Sequence, residues 1–141
     1  MTFFPLLRQT LLDTFKVDSY LMHAPYKDLE KMDRGFRRMV WGKYKTDSPL
    51  FTMSGEAPYQ IIVLQSSLGF YNVIVRLTPG ESPDILGIMP FRTEPITQVG
   101  INRLIRENGI DPKHTGTLSH FYLSIPIIDI DDLTLMLKHF I

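Results

Sequence analysis

Three apolar runs between residues 59 and 91 are hardly interrupted by polar positions. They are "YQIIVLQ", "FYNVIVRLT" and "DILGIMPF", separated by "SSLG" and "PGESP". β-Branched and aromatic residues bounded by turn residues predict strands, and the short connections predict an antiparallel meander. A sheet with one wet face alternates apolar and polar residues. Here Ile61, Ile62, Val63 and Leu64 are consecutive, as are Val73, Ile74 and Val75. Both faces are therefore expected to be covered, one by the chain's own helices and the other by more helix or a second subunit.

Helical periodicity brackets these strands. Leu6, Leu7, Leu11 and Phe15 recur at helical spacing after Pro5, a residue tolerated in a first turn. "VDSYLMH" follows as a short strand. Residues 28–41 again read as helix, with Leu29, Met32, Phe36, Met39 and Val40 on one side. The stretch 42–58 reads as loop from its Gly, Pro, Ser and Asp content. Beyond the meander, Thr97 is a suitable N-cap and Gly109 a suitable stop for "QVGINRLIREN". "HTGTLSHFYLSI" is a second helix ended by Pro126. Asp129 and Asp132 resemble a capping box opening "DLTLMLKHFI", whose Leu133, Met136, Leu137 and Phe140 form an apolar stripe. The expected fold is α+β: an antiparallel meander flanked by helices on both faces, in one domain spanning 1–141.

Charge and composition narrow the function classes. Of 141 residues, 15 are Lys or Arg and 15 are Asp or Glu, so the basic excess typical of a free-standing DNA-binding domain is missing. No cysteine is present, which excludes disulfides and thiolate metal sites and suits a reducing cytosol. No apolar run approaches the roughly 20 residues that cross a bilayer, and the N-terminus lacks a secretory pattern. Residues 27–45 hold seven Lys or Arg against three acidic residues. This reads as the wet face of a helix in preference to a phosphate-binding patch.

Catalytic chemistry finds little support. His23, His114, His120 and His139 are scattered without metal spacing. "SSLG" and "TMSG" lack the flanking glycines of a nucleophile elbow, and no phosphate loop exists. Asp129, Asp131 and Asp132 are better explained as helix-capping acids than as a calcium loop. The reading is therefore no enzyme, no catalytic residue, no metal and no cofactor. The aromatic and methionine content points instead to an apolar pocket with a few polar groups. The candidate ligand-binding residues are Trp41, Tyr59, Tyr71, Arg76, Met89 and Arg92. Arg76 and Arg92 stand out because an unpaired charge among apolar strands is costly.

Four segments in order carry a family likeness: "DRGFRR" (33–38), "LGFYNV" (68–73), "MPFRTE" (89–94) and "HFYLSIPII" (120–128). The chain resembles the N-terminal sensory region of AraC-type, helix-turn-helix transcription regulators of Bacillota, over roughly residues 28–135. Met89 departs from the glycine of the corresponding "GPY" pattern. The resemblance implies a GAF- or PAS-like sensor fold, an unidentified small-molecule ligand and homodimerisation. Leu133, Met136, Leu137 and Phe140 would serve packing or pairing. DNA would be reached only through a C-terminal region not in this chain; the expected location is cytoplasmic, with no membrane. A sensor domain of a histidine kinase or other signalling protein, or a scaffold without ligand, are the competing readings.

One stretch stays open at this level. "DILGIMPFRTEPIT" (84–97) ends an apolar strand in Pro90 and Arg92. A proline suits a strand end or edge, because it cannot donate to a ladder. Arg92 then either braces the exit through a carboxylate such as Glu94 or sits at the rim of a pocket.

Overall fold

A computed structural model describes residues 4–23, 25, 33–41, 59–80 and 82–140. The fold is α+β. Strands β1 (Ser19–Met22), β2 (Gln60–Gln65), β3 (Tyr71–Arg76) and β4 (Ile85–Phe91) form one antiparallel sheet in the order β1-β4-β3-β2. The three apolar runs are thus consecutive neighbours, as a meander requires, and "VDSYLMH" closes the far edge by pairing with β4.

Position in the sheet explains burial. The inner strands β3 and β4 are buried almost throughout, on both faces. The edge strand β2 is not: Ile61 and Ile62 are half-buried and Val63 is exposed. The expectation of two covered faces therefore holds for the inner strands and fails for β2. One face carries Val73, Val75, Leu86, Ile88 and Phe91. Leu7 and Leu11 of helix α1 (Phe4–Phe15) pack on it, with Leu133 and Leu137 of helix α5 (Ile130–Phe140). Each such side chain removed from water contributes about 1.5–3 kcal/mol. The opposite face carries Ile74, Ile85, Tyr20, Met22 and Leu64. No described helix belongs to that cluster, so the expectation of helix there falls on residues outside the described ones.

A second core lies around the β2–β3 turn. Leu68 and Phe70 meet helices α2 (Phe36–Trp41), α3 (Gln98–Asn108) and α4 (Thr115–Ser124) through Phe36, Ile101, Ile105, Leu118, Phe121 and Tyr122. Phe36 stacks on Phe121 with centroids 4.0 Å apart. Helix α2 is shorter than its pattern predicted. Arg34 and Gly35 both have positive φ (56° and 77°), and the Asp33 carboxylate accepts from the Gly35 N–H at 3.0 Å. Left-handed backbone cannot continue a right-handed helix, so "DRG" is a turn and the helix begins at Phe36.

The other caps follow their residues. Thr97 Oγ1 accepts from the Gly100 N–H at 3.1 Å, and Asp129 Oδ1 accepts from the Asp132 N–H at 3.1 Å. Gly109 is left-handed with φ 63°, and the Ile110 N–H reaches back to the Ile105 carbonyl. This is a Schellman ending, sealed by Ile110 packing in the same cluster as Ile105.

Pro90 is the penultimate residue of β4, at the strand end that its missing N–H suggested, although β4 itself is an inner strand of the sheet. The pairing explains how it fits there. Val73 opposes Ile88 and Tyr71 opposes Phe91, so β3 advances two residues where β4 advances three. The extra residue is a β-bulge, the one kind of interior position where a strand tolerates proline. The bulge also resets parity. Phe91 stays on the face of Ile88 and Leu86 despite an odd spacing, and stacks on Tyr71 at 6.0 Å. Asn72, buried beside the bulge, donates its Nδ2 to the Ile88 carbonyl at 3.1 Å.

Candidate functional site: a cleft at the exit of β4

Beyond the bulge the chain leaves the sheet and crosses to α3. The Arg92 N–H donates to the Pro126 carbonyl at 2.8 Å, and the Arg92 carbonyl accepts from the Ile128 N–H at 2.7 Å. This pair forms a short parallel bridge to the α4–α5 connection. Arg92 thus braces the crossover through its backbone.

A cleft of about 540 Å³ opens between this exit, the β2–β3 turn and α3. That volume lies within the roughly 300–1,000 Å³ of small-molecule sites. Tyr71, Arg92, Thr93 and Ile96 line one side, and Gly100, Arg103, Leu104 and Glu107 of α3 line the other. Ile101 and Ile105 point α3 into the core, which leaves the neighbouring stripe facing the cleft. Gly69 forms the floor of the turn. Its φ is 85°, so the conformation calls for glycine, and a Cβ there would also press on Leu104 Cδ1 at 3.2 Å.

Arg92 is only 8 % exposed. Its Nη2 donates to the Ile125 carbonyl at 3.3 Å, while its buried Nε has no partner. No carboxylate forms an ion pair with it among the described residues. Burial accordingly lowers its pKa from the usual guanidinium value, although arginine stays charged. Of the two readings, the carboxylate brace through Glu94 is not formed among the described residues; Arg92 reaches a carbonyl instead, and it lines a pocket.

The other candidate ligand residues do not converge on this cleft. Tyr71 lines it. Arg76 is fully buried at the other end of β3, roughly 16 Å along the strand from Tyr71. There it donates to the Thr78 carbonyl at 3.4 Å. Tyr59 is exposed, with φ 62°, in the turn leading into β2, and its N–H bonds the Arg76 carbonyl. Met89 is half-buried and lines a different, smaller pocket with Leu12, Val17 and Pro126. Trp41 ends α2, and its side chain lies outside the described residues. A single pocket built from all six residues is thus not what the chain forms.

Of the packing or pairing expected for the α5 stripe, its leucines serve packing. Leu133 and Leu137 are fully buried within this chain's own core, and Met136 and Phe140 pack beside them. The stripe serves packing, and its two leucines offer no surface to a second copy.

Among the described residues the histidines do not cluster. His23 pairs with Asp84 at 2.8 Å across the β1 and β4 ends, both exposed. Among the described residues no three His, Cys, Asp or Glu side chains gather as for a metal, and no helix is long and apolar enough to cross a membrane. The "SSLG" serines form a turn, with Ser66 Oγ accepting from the Leu68 N–H at 3.1 Å. Tyr122 is enclosed by Phe36 and Phe121, and burial raises the pKa of its hydroxyl, which has no hydrogen-bond partner.

Sequence reasoning missed Gln65, Thr93, Arg103, Leu104 and Glu107 as cleft residues. For the three on α3 the one signal was the helical pattern, which marks Gly100, Leu104 and Glu107 as one stripe beside the core face; Gln65 and Thr93 lie outside that helix and carried no signal. Compared with known proteins, the chain matches no family model, no curated protein and no solved structure.

Proposed function

We propose that this chain is the ligand-sensing domain of an AraC-type transcription regulator acting in the cytoplasm, with a GAF- or PAS-like role for its sheet. The carrying observation is the 540 Å³ cleft where the "LGFYNV" and "MPFRTE" segments meet, bringing Tyr71 and Arg92 together. Two of the four segments that carry the family likeness thus build one concave site. The cleft sets charged side chains, Arg92, Glu94, Arg103 and Glu107, beside an apolar wall of Tyr71, Ile96 and Leu104, so it is more polar than the usual small-molecule site and suits a polar or charged ligand with an apolar body. A ligand here would touch both the sheet exit and α3, so it can bias how the helices pack on the sheet. Dimerisation, if the regulator uses it, draws on a surface other than Leu133 and Leu137.

The test is a thermal-shift screen of the chain against sugars, carboxylates and short peptides. A ligand present at 100 times its Kd stabilises the folded state by about 2.7 kcal/mol, a readily measured shift. A saturable rise in Tm with any one class supports sensing. Flat melting temperatures across all classes at millimolar concentration would sink it and favour the scaffold reading.

A further inference from the structure

The cleft has a property that goes beyond its being a pocket. Arg92 carries a full charge, is more than nine-tenths buried, and has no carboxylate against it among the described residues. Only Nη2 has an acceptor, a neutral carbonyl at 3.3 Å, longer than a strong charge-assisted bond. A buried cation left so poorly satisfied is a standing cost to the fold, one that an anionic ligand would offset. The start of α3 borders the same cleft through Thr97, Val99 and Gly100, and its dipole also favours negative charge there.

We propose that the cleft binds a small monoanionic carboxylate, its carboxylate paired with Arg92 and its uncharged body against Tyr71, Ile96 and Leu104. The proposal rests on the sensing reading and gives its ligand class. One negative charge is preferred over two. The lining holds two cations, Arg92 and Arg103, and two anions, Glu94 and Glu107. Arg103, Glu94 and Glu107 are exposed and screened by water, which leaves Arg92 as the single desolvated charge to be matched. A second anionic group on the ligand would face Glu94 or Glu107. The planar guanidinium fork fits a carboxylate, and the apolar wall favours a body such as a phenyl or short alkyl group.

The experiment measures Tm and calorimetric binding for the whole chain with butyrate, benzoate and phenylacetate. Succinate, inorganic phosphate and an uncharged sugar form the other arms, and sodium chloride at matched ionic strength is the control. The expected result is saturable binding of at least one monocarboxylate, at least tenfold tighter than succinate or phosphate. Arg92→Met should weaken it by about tenfold or more, since a charge-assisted pair is lost. Should Arg92→Met fail to fold, Val99→Trp provides the second variant. Val99 is exposed on α3 at the cleft, so a larger ring there fills the space without disturbing the core, and binding should be lost. A Tm rise that sodium chloride reproduces, or that persists in a folded Arg92→Met chain, overturns the proposal. So does a Val99→Trp chain that binds as well as the wild type. A sugar that binds and is blocked by Val99→Trp, while no carboxylate binds, overturns the carboxylate assignment and leaves sensing standing. Silence from every arm overturns the carboxylate assignment, and sensing falls with it when short peptides give no shift either.

Discussion

Replacing Gly87 by Ala tests how tightly the inner strand is built. Gly87 lies in β4 opposite Tyr20 of β1, and the tyrosine ring covers it. A methyl group at Gly87 would come within 2.7 Å of Tyr20 Cε2 and Oη, well inside van der Waals contact. Tyr20 is buried, so moving the ring aside surrenders its own packing. Overpacking of this kind costs about 1–3 kcal/mol. The backbone is not the obstacle, because Gly87 has no positive φ. In a Tyr20→Ala chain, where the ring is gone, the same Gly87→Ala change should be neutral or stabilising. Alanine there lowers the entropy of the unfolded chain by about 0.4–1 kcal/mol.

The difference between the two backgrounds is thus a coupling of about 1.5–4 kcal/mol. Urea denaturation of the four chains measures it. With an m-value of about 1–3 kcal/mol per molar urea, the wild-type midpoint should fall by roughly 1 M on Gly87→Ala. An equal cost for Gly87→Ala with and without Tyr20 would refute the reasoning, since the penalty would then lie in the backbone and not in the ring.

Three further outcomes follow from the same structure. Leu137 is fully buried against α1 and the sheet, so Leu137→Ala should cost about 2–5 kcal/mol in urea, whereas Leu135→Ala on the exposed side of α5 should cost under about 0.5. Thr97→Ala removes the acceptor for the Gly100 N–H and should lower stability by about 1 kcal/mol, with Thr97→Asp or Thr97→Ser restoring most of it in thermal melts. Arg8 donates to both carboxylate oxygens of Asp18, at 2.6 and 2.9 Å, and this hydrogen bonding holds the Asp18 pKa below its ordinary 3.8. A depressed folded pKa adds stability above the unfolded value and loses it as pH falls through the folded one. The pair is exposed, so the effect is small, but the wild type should lose more stability than Asp18→Asn as pH drops below about 4. Parallel acid-denaturation curves would show that the pair contributes nothing.

Much of the architecture was legible because local chemistry decides it. Thr97, Gly109 and Asp129 bound their helices where their side chains and backbone freedom predict, and the three apolar runs became neighbouring strands. The errors have equally local causes. "DRG" was read as helix from its flanking apolar spacing, while two left-handed residues made it a turn. The α5 stripe left packing and pairing open, because a stripe of that kind says only that something must cover it. The sheet's own face, with α1, does so.

The cleft was harder to foresee, and β4 shows why. A bulge is visible in sequence only when it breaks an apolar–polar alternation. β4 is apolar on both faces, so an extra residue between Ile88 and Phe91 leaves no trace in its pattern. Pro90 was the only mark, and it was equally consistent with a strand end. Once the bulge is placed, the rest follows in order. It turns Phe91 inward against Tyr71, and the next residue, Arg92, then hydrogen-bonds to the α4–α5 connection beside α3. A charge among apolar residues was legible as unusual. Its missing counter-charge was not, because Glu94 stands two residues away in sequence yet remains exposed and forms no pair with it. Proximity in sequence allowed Glu94 as a partner for Arg92; in the fold Glu94 is exposed, and Arg92 is buried, reaches the Ile125 carbonyl and lines an open cleft.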